Sequence, residues 1–149
     1  MILTSLMFML AFAATLAQPM PPGTHAMGED LLRTLSEQPE VPMVVARVEN
    51  TDKTRVNLIR RSVPQNAIVH ETGWEVHHIV GGSGTVVTGG RLMRSVGADG
   101  VRAATIQGGE SRSVVVGDVL IIPAGTPHWY STIPESVTYL EIRYDPGDE

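Results

Sequence analysis

Gly117-Asp118-Val119-Leu120-Ile121-Ile122-Pro123-Ala124-Gly125-Thr126-Pro127-His128 is the stretch whose reading decides the fold. Gly117-Asp118 marks a turn. The four apolar residues that follow suit one buried strand and are too few for a helix. Pro123-Ala124-Gly125 is a second turn, and it delivers His128 at the head of the next strand, 128–132. Strand, tight turn and strand therefore follow one another with no helical period between them.

The same grammar extends outward. Segments 41–48, 55–61, 67–70, 74–80, 85–88, 91–95, 101–107, 111–116, 119–122, 128–132 and 137–144 all read as strands, bounded by turn residues. Eleven of the fifteen glycines fall between Gly81 and Gly125, as frequent tight turns require. Many short strands with little helix indicate a sandwich or closed barrel, so the fold class is all-β. The one helical candidate is 29–37, opened by Glu29 and Asp30, carrying Leu31, Leu32 and Leu35 at helical spacing and ended by Pro39. Before it, 18–28 holds three prolines and two glycines and reads as an extended linker. His25 there reads as a solvated histidine.

Four of the five histidines lie within 70–128. His70 and Glu75 flank the turn Glu71-Thr72-Gly73. Period-two alternation then sends Glu75, His77 and Ile79 to one face of a strand and Val76, His78 and Val80 to the other. His78 reads as a packing residue on the outer face. Tyr130, two residues after His128, shares that residue's inward face, where its phenol can donate to a bound substrate. Trp129 points outward.

These two segments resemble the two sequence motifs of the cupin superfamily, G-x5-H-x-H-x3-4-E-x6-G and G-x5-P-x-G-x2-H-x3-N. The second is matched by Gly117, Pro123, Gly125 and His128, with Thr132 in place of its asparagine. The first is matched by His70, Glu75 and Gly82, with Ile68 at its first histidine and Ser62 at its opening glycine. The resemblance spans residues 55–144 and is similar in character to the small single-domain, type-2-like cupins. It implies a jelly-roll β-barrel of six to eight strands with a short N-terminal helix, and a divalent metal near the barrel mouth on three histidines and one glutamate. Carried over by position, the ligands are His70, Glu75 and His128. Two imidazoles and a carboxylate form the facial-triad set of non-haem iron, but manganese, zinc, nickel or copper can use the same atoms. His77 shares the inward face with Glu75. It is a fourth ligand, a general base beside the metal, or a barrel-lining histidine bonded to a neighbour.

Composition bounds the rest. With no cysteine, neither disulfides nor thiolate chemistry are possible. Eleven basic against sixteen acidic residues, net charge -5, argue against nucleic acid as a partner. Residues 1–17 carry no charge, and 6–14 form an unbroken apolar run too short to span a membrane. Thr15-Leu16-Ala17 suits a signal-peptidase site. The expectation is a signal peptide at 1–17, a linker with a short helix at 18–40 and the barrel domain at 41–149, exported to the periplasm or beyond with no stable membrane insertion. Removing 17 of the 149 residues leaves 132, enough for one domain.

Two functions fit. One is a metal-dependent enzyme acting on a small organic molecule, an oxygenase (dioxygenase-type) with iron or an isomerase or lyase with zinc or manganese, using His77 and Tyr130 as catalytic groups. The other is a non-catalytic exported barrel that binds a small ligand or a metal. In either case the apolar 41–48 strand suits the edge of a homodimer.

Overall fold

Alternation along the chain builds the barrel. The computed structural model describes residues 22–147; the expected signal peptide lies outside the described residues. Helix α1 (Gly28–Ser36) precedes nine strands: β1 Met43–Asn50, β2 Thr54–Arg61, β3 Trp74–Thr88, β4 Arg91–Val96, β5 Arg102–Gln107, β6 Glu110–Val115, β7 Val119–Ile122, β8 His128–Thr132 and β9 Val137–Tyr144. Every strand pairing is antiparallel. One sheet runs β1-β2-β9-β3, with β7 on the far side of β3. The other is built on the C-terminal half of β3, flanked by β6 and β8. Together they form a jelly-roll barrel.

Most strands lie within two residues of their expected bounds, but two expectations change. The separate strands 74–80 and 85–88 are one strand of 15 residues. The intervening Gly81-Gly82-Ser83-Gly84 is where β3 passes from one sheet to the other, with a register shift against β9 between Ile79 and Gly81. Gly82 has φ 65°, and a Cβ there would overlap the Ser136 carbonyl. Here the glycines permit a bend and a close backbone approach rather than a reversal.

The second change is at 67–70, which reduces to a single bridge between Ile68 and His128. Its backbone groups go to three places. Ala67 N–H donates to Ala104 O, Ile68 exchanges both bonds with His128, and His70 O accepts from Gly125 N–H at 2.7 Å. No ladder forms, but the segment ties the β4–β5 hairpin and the Pro-Ala-Gly turn to the strand that carries His128.

Between the sheets lies the main core: Ile59, Ile79, Val86, Val114, Tyr130, Ile133, Val137 and Tyr139. A second, smaller cluster sits outside the barrel, where Leu35 of α1, with Leu31 beside it, covers Val44, Ala46 and Leu58. Arg60 holds the helix end in place, donating to Leu35 O at 2.7 Å and Gln38 O at 2.6 Å, where a cation complements the helix dipole. The apolar face of β1 is therefore covered by the chain's own helix. Its free edge has no partner strand among the described residues.

Candidate metal centre

Strand parity puts Glu75 and His77 inside, at 3% and 2% exposure, and leaves His78 in solvent. His128 enters from β8, also buried, because the Pro-Ala-Gly turn sets its register against Ile68. His70 comes from the irregular segment at the mouth and is one-third exposed. Around the Glu75 carboxylate, His70 Nε2 lies 3.0 Å from Oε1, while His77 Nε2 and His128 Nε2 lie 3.2 and 3.5 Å from Oε2.

Ligand atoms of His70, Glu75 and His128 all lie within 4.8 Å of one another. Those of Glu75, His77 and Glu141 do so as a second group. His77 thus stands beside Glu75, on the side of Glu141, and not within the first group. His25 is exposed and belongs to neither group.

Partner chemistry fixes the imidazole tautomers. His128 Nδ1 lies 3.1 Å from Thr126 O, and a carbonyl only accepts, so Nδ1 carries the proton and Nε2 keeps its lone pair. That Nε2 is buried and has no hydrogen-bond partner. Glu75 Oε1 is likewise buried and unpartnered, since His70 approaches it off the hydrogen-bond direction. Two orphaned acceptors converging in a barrel interior are costly unless something cationic joins them. The donor set therefore fits a divalent ion.

His77 is placed differently. Its Nε2 must donate to Glu75, because a carboxylate only accepts, and the neutral ring then takes the Tyr130 hydroxyl proton on Nδ1 at 3.2 Å. Tyr130 lines the same space and directs its hydroxyl at His77. Trp129 is half-buried, borders the same space and donates its indole N–H to Gln65 O, so it does not point outward as its parity suggested.

Charge follows from this packing. Burial by itself would raise the Glu75 carboxyl, but the contacts from His70 and His77 outweigh it, holding Glu75 well below the usual carboxylate range. Burial pushes His128 below the ordinary imidazole value, against the Thr126 bond and the Glu75 charge, which favours the neutral ring a ligand needs. Burial pushes Tyr130 far up, and Tyr139 up to about 12 despite the Arg61 guanidinium bonded to its hydroxyl at 2.9 Å.

Sequence reading missed two charged groups, Glu141 and Arg143. Both sit on β9 in the inward row that starts at Val137 and Tyr139, opposite His77 and Glu75 in the register of β3. Asn57 donates to Glu141 at 3.0 Å, and Arg143 reaches both His70 and Glu75. The available signal was the alternation Val137-Tyr139-Glu141-Arg143, which puts two charges on the face of two buried residues.

No family model matches the sequence, and no curated protein matches it. Solved structures do. The Bacillus halodurans protein BH2720 matches with TM-score 0.55 and 18% identity, covering 86% of each chain. The cupin domain of Schizosaccharomyces pombe Cnp3 matches with TM-score 0.53 and 9% identity, over 71% of this chain and 66% of that one. The chain has the cupin fold. The iron(II) form of HppE also matches, with TM-score 0.54 and 9% identity, over 69% of this chain and 51% of that one. At these identities the likeness is one of fold, and a cupin barrel hosts many activities.

Proposed function

We propose that this cupin-fold protein binds one divalent metal ion on His70, Glu75 and His128, and uses it to act on a small organic molecule. The observation that carries the reading is the convergence of two buried, unpartnered acceptors, His128 Nε2 and Glu75 Oε1. A divalent ion there supplies Lewis-acid character, and a redox-active one supplies electrons to dioxygen.

The chain's own groups do the rest. The Thr126 carbonyl aims His128, and His77 orients the Glu75 carboxylate through its N–H while Tyr130 supports His77 from behind. Such a His77 can exchange a proton between the carboxylate side and the Tyr130 side, which is the acid–base role considered for it. The space these residues enclose is about 20 Å³, room for one or two water-sized bodies. An open cleft of about 460 Å³ lies under the β4–β5 hairpin, lined by Arg94, Val96 and Arg102, and it shares Asn66 with the inner space. The body of a substrate fits that cleft, with only its reactive end reaching inward.

Elemental analysis of the purified protein, after loading with iron, manganese, zinc, nickel or copper, tests the metal. About one ion per chain is expected, lost in His128→Ala and kept in His78→Ala. Oxygen-consumption and turnover screening then tests the enzyme. The second reading, a non-catalytic metal-binding barrel, is favoured by the smallness of the inner space, and it predicts metal uptake with no turnover.

The proposal includes export under a leader at 1–17, checked by N-terminal sequencing of the mature protein, with no part inserted in a membrane. No helix among the described residues is long and apolar enough to cross one. It also includes a homodimer through the free edge of β1. A monomer mass in light scattering at micromolar concentration would refute it.

A further inference from the structure

His70 and His128 occupy matching places beside Glu75, yet their second nitrogens face opposite chemistry. His128 Nδ1 meets a carbonyl and must donate. His70 Nδ1 meets the Arg143 guanidinium, Nη1 at 2.9 Å, and arginine has no acceptor, so this nitrogen must accept. The His70 proton therefore resides on Nε2, which lies 3.0 Å from Glu75 Oε1 but off the hydrogen-bond direction. A neutral imidazole with its proton on Nε2 has no lone pair there for a metal.

Arg143 is well placed to hold this state. Its side chain is only 16% exposed, its Nε lies 4.0 Å from Glu75 Oε1, and its Nη2 donates to Thr72 O at 3.4 Å. One guanidinium thus bridges the carboxylate and the imidazole that two of the metal's bonds require. No other arginine or lysine among the described residues lies within 4.0 Å of Glu75.

We infer that Arg143 is the site's internal cation, a positioning residue that latches His70 in the non-ligating tautomer and leaves His70 Nδ1 when a metal ion enters. The inference rests on the metal reading proposed above. On loading, His70 gives up its Nε2 proton to solvent and takes one on Nδ1, so the ring stays neutral while its lone pair turns to the ion. The guanidinium then has no acceptor on His70 and withdraws toward Thr72 and the mouth. The three ligands provide the affinity, and this displacement lowers it.

Two measurements test it on the full chain. In metal-free wild-type protein, long-range proton–nitrogen correlation spectra of the imidazoles should show His70 protonated on Nε2 and His128 on Nδ1. Titration with Zn²⁺ should convert His70 to the Nδ1 form. A His70 already protonated on Nδ1 before metal is added overturns the latch.

By calorimetry, Arg143→Gln, whose amide oxygen can accept from His70 Nδ1, should bind Zn²⁺ about tenfold or more tightly than wild type, within the range outer-shell changes produce. Arg143→Lys, still a cationic donor, should stay near wild type. Equal or weaker binding by Arg143→Gln overturns the competition. Absence of Zn²⁺ uptake by every variant overturns the metal reading and the competition with it, while the His70 tautomer still decides the Arg143 contact.

Discussion

Along the inward row of β3 the chemistry changes within three positions. Glu75 and His77 form the polar end of the barrel interior, and Ile79, with Val86 further on, forms the apolar end. Both ends are equally buried. They differ in what faces them. Ile79 packs among Ile59, Val114, Ile133 and Val137, whereas Glu75 and His77 face Arg143, Glu141, Tyr130 and His128. A strand's alternation selects the face. What the opposite strands bring to that face decides whether a buried position holds the fold or a ligand.

The sharpest way to break this comparison is at the polar end. Glu75→Gln keeps the size but removes the charge and leaves His77 facing an amide, and it should weaken metal binding at least about 100-fold. Calorimetric titration beside wild type checks this, and unchanged affinity would place the ion elsewhere.

At the apolar end, Ile79→Ala should cost about 2–5 kcal/mol of stability, because it leaves a cavity among close-packed side chains. The same variant should still bind about one ion per chain, measured by denaturant unfolding and elemental analysis together. Loss of metal with a stability change under 1 kcal/mol would mean the two ends are not separable.

Acid should distinguish the ends in metal-free protein. His128 and Glu75 both have folded-state values below their ordinary ones, 6.5 and 4.5, so the unfolded chain binds protons first as pH falls. Their contribution to stability is complete above about pH 6.5 and is lost as the pH drops, His128 entering first and Glu75 below about 4.5. The midpoint of thermal unfolding should fall accordingly, and His128→Asn should flatten the upper part of that fall. A midpoint constant from pH 7 to 4 would contradict it. The titratable neighbours of the apolar end, Tyr130 and Tyr139, are pushed up by burial, so that end contributes nothing to this profile.

The smallest effect is expected at the boundary between the two ends. Tyr130→Phe keeps the ring stacked 5.1 Å from Tyr139 and removes only the hydroxyl that bonds His77. The expected loss is about 1 kcal/mol of stability. Metal affinity should change less than for Glu75→Gln, because Tyr130 acts on Glu75 only through His77.

Residue order alone determined the all-β class, the strands around the Pro-Ala-Gly turn, and the inward set Glu75, His77, His128 and Tyr130. Turn residues and period-two alternation are local properties, and they survive whatever the strand packs against. Tertiary structure alone decided three things. It joined 74–80 to 85–88, because the glycines between them read locally as a turn and become a bend only where the Ser136 backbone crosses them. It set His77 beside Glu75 and Glu141 rather than among the His70 group, because two inward residues of one strand diverge by an amount that barrel curvature sets. And it brought Arg143 to His70 across 73 positions of chain. No local pattern encodes which strand of a barrel lies beside which; pairing register does, and it is settled only when the sheet closes.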